Sequence, residues 1–87
     1  MSMGLIDTTA WRRRGYMPAS EIARALGCWP ITVHRHMDRG NIPFELEGRY
    51  RFAKVDDVVR WVRDLYSDEA IAAEKVKAIK VAARGTK

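Results

Sequence analysis

Cysteine, proline and long apolar segments are scarce in this sequence, which has one cysteine and three prolines among 87 residues. The single cysteine, Cys28, excludes an intramolecular disulfide and a zinc site built on several cysteines. No stretch approaches the roughly 18 apolar residues that a membrane-spanning helix needs, so we expect no membrane span. Residues 1–7 lack the basic flank and apolar segment of a secretion signal. With the lone cysteine, this favours a reducing cytoplasm.

Positive charge is what the sequence has in excess, with 16 Lys and Arg against 11 Asp and Glu and a formal net charge of +5. The excess is uneven, because residues 11–51 carry eight arginines against four acidic residues, whereas the charges in residues 52–66 cancel. A concentrated positive charge is typical of proteins that bind a polyanion, most simply nucleic acid. A chain this short has little room for a buried catalytic site, so we expect neither enzymatic activity nor a cofactor.

Apolar residues at helical spacing predict a pair of short helices joined by a tight turn. The first helix spans 19–26 and ends at Gly27, which can adopt the positive φ of a helix terminus. Pro30 suits the first turn of the second helix, which spans 30–39 and directs Val33 toward the core. Two helices joined by so short a turn cross at a steep angle, as in helix-turn-helix motifs.

The following segment predicts a small β-hairpin and then a third helix. Residues 42–46 and 49–52 are strand-like and flank the two-residue turn Glu47-Gly48. Residues 55–66 have apolar side chains at the spacing of an amphipathic helix. The predicted fold class is therefore mainly α with a small β-hairpin, followed by a C-terminal helix.

Residues 68–83 predict that last helix, which is rich in alanine and is capped by Ser67. Its apolar side chains form a narrow stripe, and an isolated helix of this length is only marginally stable. The stripe therefore packs either on its own domain or on a neighbouring copy of the chain, and the pattern does not distinguish the two. The stripe consists of Ala72, Val76, Ile79 and Ala83.

Short motifs distributed between residues 16 and 66 fit this order of elements. They are Tyr16-Met17-Pro18, Ile22-Ala23, Leu26-Gly27, Thr32-Val33, Arg35, Arg39-Gly40, Ile42-Pro43, Gly48-Arg49-Tyr50-Arg51-Phe52, Asp57-Val58 and Trp61-Val62. Through them the chain resembles the excisionase and MerR-like family of winged helix-turn-helix DNA-binding domains. The resemblance predicts a partly ordered basic arm over 1–15, the DNA-binding domain over 16–66, and an amphipathic helix with a basic tail over 67–87.

The resemblance implies that the second helix enters the major groove of DNA, while the hairpin, called the wing, lies against the backbone or in the minor groove. The triple arginine beside Trp11 is either part of a solvated terminus or an arm on the DNA backbone. The candidate DNA-binding residues are Ile31, Thr32, His34, Arg35 and Arg39 in the helix, Arg49 and Arg51 in the wing, and Arg12, Arg13 and Arg14 in the arm.

Other chemistry has little support in the sequence. His34 and His36 are two residues apart on a helix and point to different faces, so we expect no metal site. Cys28, beside the turn, is expected to act as a small apolar residue rather than as a nucleophile. Trp29 departs from the family, because it stands where a polar capping residue is common.

Within this family we favour a resemblance to phage excisionases, which direct recombination by an integrase toward prophage excision, because the last helix is too short for the long coiled coil of MerR-type regulators. That resemblance implies binding to double-stranded DNA at adjacent sites, bending of that DNA, an integrase partner, and contacts between neighbouring copies in the cytoplasm of a bacterial host. A small MerR-like or prophage transcriptional regulator is the first alternative. A terminase-like assembly subunit is the second.

Overall fold

A computed structural model describes residues 8–84 as a helical domain with a small antiparallel sheet. The predicted class, mainly α with a small β-hairpin, is confirmed at that level, and a third strand extends the sheet. Within these residues no helix is both long enough and apolar enough to cross a lipid bilayer. The elements are α1 (Thr9–Arg13), β1 (Tyr16–Pro18), α2 (Ala19–Leu26), α3 (Pro30–Asp38), β2 (Glu45–Glu47), β3 (Tyr50–Lys54), α4 (Val55–Leu65) and α5 (Glu69–Ala83).

The turn between α2 and α3 forms as its sequence predicts. Gly27 ends α2 with φ of 72°, a left-handed conformation that glycine adopts at little cost. The backbone N–H of Cys28 then donates to the carbonyl of Ala23 at 2.9 Å. Trp29 is extended, with φ of −80° and ψ of 146°, and Pro30 begins α3 with the φ that a helix requires. The chain reverses within three residues, and this brings α3 across α2.

The sheet has the order β1-β3-β2, and both pairings are antiparallel. In the hairpin Glu47 pairs with Tyr50, so the two-residue turn is Gly48-Arg49 rather than the predicted Glu47-Gly48. Gly48 has φ of 61°, which suits it to the first position of such a turn. The prediction was therefore wrong by one residue. Strand β1 was not predicted, because three residues are too few to show alternation.

Helix α5 packs within the domain, against α2 and α4. Ala72, Val76 and Ile79 are buried, and the half-buried Ala83 packs against the same core. Of the two alternatives that the sequence left open for this stripe, its own domain or a neighbouring copy, the structure shows packing on its own domain. The helix is capped by Asp68 and not, as predicted, by Ser67, because the Asp68 carboxylate accepts hydrogen bonds from the N–H groups that begin the helix.

The N-terminal segment contains the short helix α1, where the sequence predicted a partly ordered arm over 1–15. Trp11 is buried and stacks on Phe52, with ring centroids 4.5 Å apart, while Tyr16 meets it edge-on at 5.1 Å. The Trp11 indole N–H also donates to the Glu47 carboxylate. These contacts attach α1 to the sheet. The part of the predicted arm over 1–7 lies outside the described residues.

Candidate nucleic-acid interface

Helix α3 has a buried face and an exposed face that carries arginine. Val33 and Met37 are one turn apart and are 0% and 2% exposed, so they fix the inward side of the helix. Ile31 and Arg35, also one turn apart, fall on the opposite side and are exposed. The Arg35 side chain has no hydrogen bond or ion pair with any residue in 8–84. An uncompensated guanidinium is thus presented outward from the middle of α3.

The other predicted residues of this helix lie beside that face. Thr32 and His34 are half-buried, and Arg39 is exposed at the C-terminal cap. The Arg39 side chain, like that of Arg35, has no partner among the residues that the structure describes. The helix therefore offers two free positive charges one turn apart.

Arg51 fixes the β2–β3 hairpin to α3. Its Nη1 lies 2.8 Å from Oδ1 of Asp38 and donates a second hydrogen bond of 3.2 Å to the carbonyl of His34. Its guanidinium carbon also lies 4.9 Å from the centre of the Phe44 ring. Because Asp38 compensates its charge, Arg51 acts as an anchor of the hairpin rather than as a free cation. The sequence predicted it as a direct DNA contact.

Arg49 and Arg51, which the sequence predicted together as DNA contacts of the wing, have different surroundings. The register places Leu46 opposite Arg51, whereas Arg49 lies in the turn at the tip of the hairpin. Arg49 is exposed, and its side chain has no hydrogen bond, ion pair or ring contact with any residue in 8–84. The tip of the hairpin therefore carries a free positive charge, and Arg51 holds that hairpin beside α3.

The three arginines of the predicted arm have different surroundings. Arg12 forms an ion pair with Glu21, and its Nη1 donates to the carbonyls of Ala82 and Ala83 at 3.3 and 3.2 Å. It therefore joins α1 to α2 and to the end of α5, and we remove it from the candidate DNA-binding residues.

Its two neighbours remain on the surface. Arg14 lies 4.7 and 4.9 Å from the ring centres of Trp11 and Tyr16, and 3.7 Å from the carboxylate of Glu45. Arg13 is exposed and has no side-chain partner within 8–84. Of the three, Arg13 is thus the one whose charge stays free.

Trp29 and Ile31 are both exposed apolar residues at the N-terminal end of α3, with 77% and 54% of their area accessible. The sequence predicted Ile31 as a base contact but treated Trp29 only as a poor cap. An apolar residue at a capping position, next to an outward-facing isoleucine, is the signal that could have identified both.

The titratable side chains His36 and Cys28, near this face, contact other residues of the domain. His36 Nδ1 lies 3.0 Å from Nδ2 of Asn41, and its ring centre is 5.0 Å from that of Trp61. Burial raises the pKa of the half-buried Cys28 thiol, and the positive charge of Lys75 partly opposes this. Residues 8–84 contain no group of three or more His, Cys, Asp or Glu side chains that could hold a metal ion.

Comparisons of the chain with family models, with curated proteins and with solved structures find no match. The surface of α3 and the adjoining hairpin are therefore the features from which a function has to be inferred. Their geometry combines an exposed helix, free arginines and an anchored hairpin tip.

Proposed function

We propose that this chain binds double-stranded DNA as a winged helix-turn-helix domain, with α3 as the recognition helix and the β2–β3 hairpin as the wing. The observation that carries the proposal is Arg35, which has no partner within 8–84 and lies in the middle of the exposed face of α3, opposite the buried Val33 and Met37. A helix held by one face and charged on the other has the shape and charge that the DNA major groove accepts.

The free arginines divide into two roles. Arg35 would bind the O6 and N7 atoms of a guanine with both ends of its guanidinium group. Arg39, at the end of α3, and Arg49, at the tip of the wing, would bind phosphates or enter the adjacent minor groove. Arg51 holds the wing at the position where Arg49 can reach the backbone. Base reading would then come from the middle of α3, and backbone binding from the C-terminal end of α3 and the tip of the wing.

Within DNA-binding proteins, the resemblance to excisionases supports a more specific proposal. The chain would bind adjacent sites beside a prophage attachment site, bend that DNA, and direct an integrase toward excision without catalysing a reaction itself. A regulator that dimerises through a long coiled coil fits less well, because the apolar stripe of α5 is covered by α2 and α4. Any contact between neighbouring copies would have to use another surface.

DNA binding is tested by titrating a fluorescent duplex with the protein over a series of salt concentrations. We expect the logarithm of the binding constant to fall linearly with the logarithm of the salt concentration, because bound counterions are released. Arg35→Ala should cost about 1–3 kcal/mol on a preferred duplex and relax the preference at one base pair.

Arg63→Ala is the matched control, since it removes the same charge from an exposed position on α4. It should leave the sequence preference unchanged. Affinity that is independent of salt would contradict DNA binding, and equal weakening by Arg35→Ala on all sequences would contradict its role as a reader. Footprinting then tests the excisionase proposal, because adjacent direct repeats support it and an inverted repeat bound by a stable dimer contradicts it.

A further inference from the structure

Trp29 is the exposed member of the three tryptophans. It is 77% accessible, whereas Trp11 and Trp61 are 8% and 7% accessible. Its backbone is extended and immediately precedes α3, and Ile31 lies two residues further along in the first turn. Two large exposed apolar side chains, two residues apart in the sequence, thus lie at the N-terminal end of the helix that we propose to enter the major groove.

Neither side chain belongs to the hydrophobic core of the domain. Trp29 occupies the capping position of α3 but makes no side-chain capping bond, and the inward side of the helix is filled by Val33 and Met37. Exposed apolar side chains of this kind are unfavourable in water and are typical of a surface that a partner covers. Such a partner would offer an apolar group and would be attracted by the surrounding charges.

The charges around the two side chains favour DNA over a second copy of this chain. Arg35 lies one turn beyond Ile31 on the same face, and Arg39 follows one turn later; neither is paired within 8–84. Joining this face to the same face of another copy would bring like charges together, in a protein whose net charge is already +5. A DNA duplex instead supplies phosphates to the arginines.

The major groove also supplies an apolar group, because the C5 methyl of thymine is displayed among the donors and acceptors of the base edges. We propose that Trp29 and Ile31 read thymine methyl groups, an inference that rests on the DNA-binding function proposed above. Ile31 and Arg35 are separated by about 6 Å along the helix, and base pairs by about 3.4 Å. The site should therefore contain a thymine one or two base pairs from the guanine that Arg35 binds.

Replacement of thymine by deoxyuridine tests this inference, because it removes the methyl group and keeps every hydrogen-bonding group and phosphate. A preferred duplex is first selected from a random pool with the unaltered protein, and its thymines are then replaced one at a time. We expect affinity to fall about fourfold for each methyl group that the protein buries. The double variant Trp29→Ala, Ile31→Ala should bind the two duplexes equally, and circular dichroism should show that it is folded.

Val81→Ala is the matched control, because Val81 is a 39% exposed apolar residue near the C-terminal end of α5, the end of that helix that Arg12 contacts. It should keep the preference for thymine over deoxyuridine. Equal affinity of the unaltered protein for both duplexes would overturn methyl reading while leaving DNA binding intact. Failure to bind any duplex would overturn both proposals. A stable dimer in sedimentation that Trp29→Ala dissociates would also overturn this inference, because a second copy would then cover the surface.

Discussion

The Arg51 guanidinium lies 2.8 Å from the Asp38 carboxylate and joins the hairpin to the C-terminal end of α3. The two residues are 13 positions apart in the sequence and belong to different elements. Arg51 also reaches the carbonyl of His34, so one side chain links the hairpin to α3 at two points. The hairpin tip is thus held beside α3 by a contact made one residue pair below the turn.

Replacing Arg51 should therefore affect stability, whereas replacing Arg49 should affect binding. Arg51→Ala removes an ion pair, a bond to a carbonyl and the contact with Phe44, and we expect unfolding free energy to fall by about 1 kcal/mol. Arg49→Ala removes a free charge at the hairpin tip, so it should leave stability unchanged and lower the salt dependence of DNA binding by about one unit of slope. Urea denaturation and salt titration measure the two effects. Loss of stability in Arg49→Ala alone would contradict this division.

Arg12 and Arg13 provide a second matched pair. Arg12 binds Glu21 and the last carbonyls of α5, so Arg12→Ala should reduce the unfolding free energy by about 1–2 kcal/mol. Arg13→Ala removes an equal charge that has no partner within 8–84 and should leave stability unchanged within about 0.5 kcal/mol. Urea denaturation of both variants checks the difference. Equal stabilities would show that Arg12 belongs to a surface arm.

Local patterns were enough to predict helices α2 to α5 and the tight turn between α2 and α3. Gly27 and Pro30 impose backbone conformations by themselves, and the apolar spacing of α4 and α5 marks their buried faces. Strand β1 and helix α1 were missed because each is too short for a periodic signal. Helix α1 is held by the stacking of Trp11 on Phe52. These two residues are far apart in the sequence, so a pattern in a short segment cannot reveal the contact.

The difference between local patterns and non-local contacts also explains which properties of the candidate site could be predicted. Exposure of Ile31 and Arg35 follows from their position opposite Val33, which the sequence shows. Whether an arginine is free or paired depends on which carboxylate the fold brings near it. Arg51 meets its carboxylate from a different element, as does Arg12, and charge counting along the chain cannot reveal either pair.

The packing of α5 predicts that the helix is required for folding. Ile79 is fully buried, so Ile79→Ala should lower the unfolding free energy by about 2–5 kcal/mol. Ile71→Ala makes the same chemical change at an exposed position of the same helix and should cost less than about 0.5 kcal/mol. Truncation after Ser67 should therefore unfold the domain. A truncated protein that stays folded and loses only cooperative DNA binding would instead assign α5 to assembly.

We expect the thiol of Cys28 to react slowly with alkylating agents while the domain is folded. Burial is the main cause that raises its pKa above the ordinary 9.0, so at pH 8 the folded protein holds less of the reactive thiolate than the unfolded chain. Alkylation by iodoacetamide should be slower in buffer than in urea, and Lys75→Met should slow it further, because that ammonium group stabilises the thiolate.

The raised pKa of Cys28 also determines whether alkaline pH stabilises or destabilises the folded domain. Above pH 9 the unfolded chain loses the Cys28 proton more readily than the folded domain, so the folded domain is destabilised as pH rises. Cys28→Ala should remove this part of the alkaline loss, measured by urea denaturation between pH 7 and about pH 10. Equal alkylation rates in buffer and urea, or an unchanged alkaline loss in Cys28→Ala, would show that the α2–α3 turn leaves the thiol open to solvent.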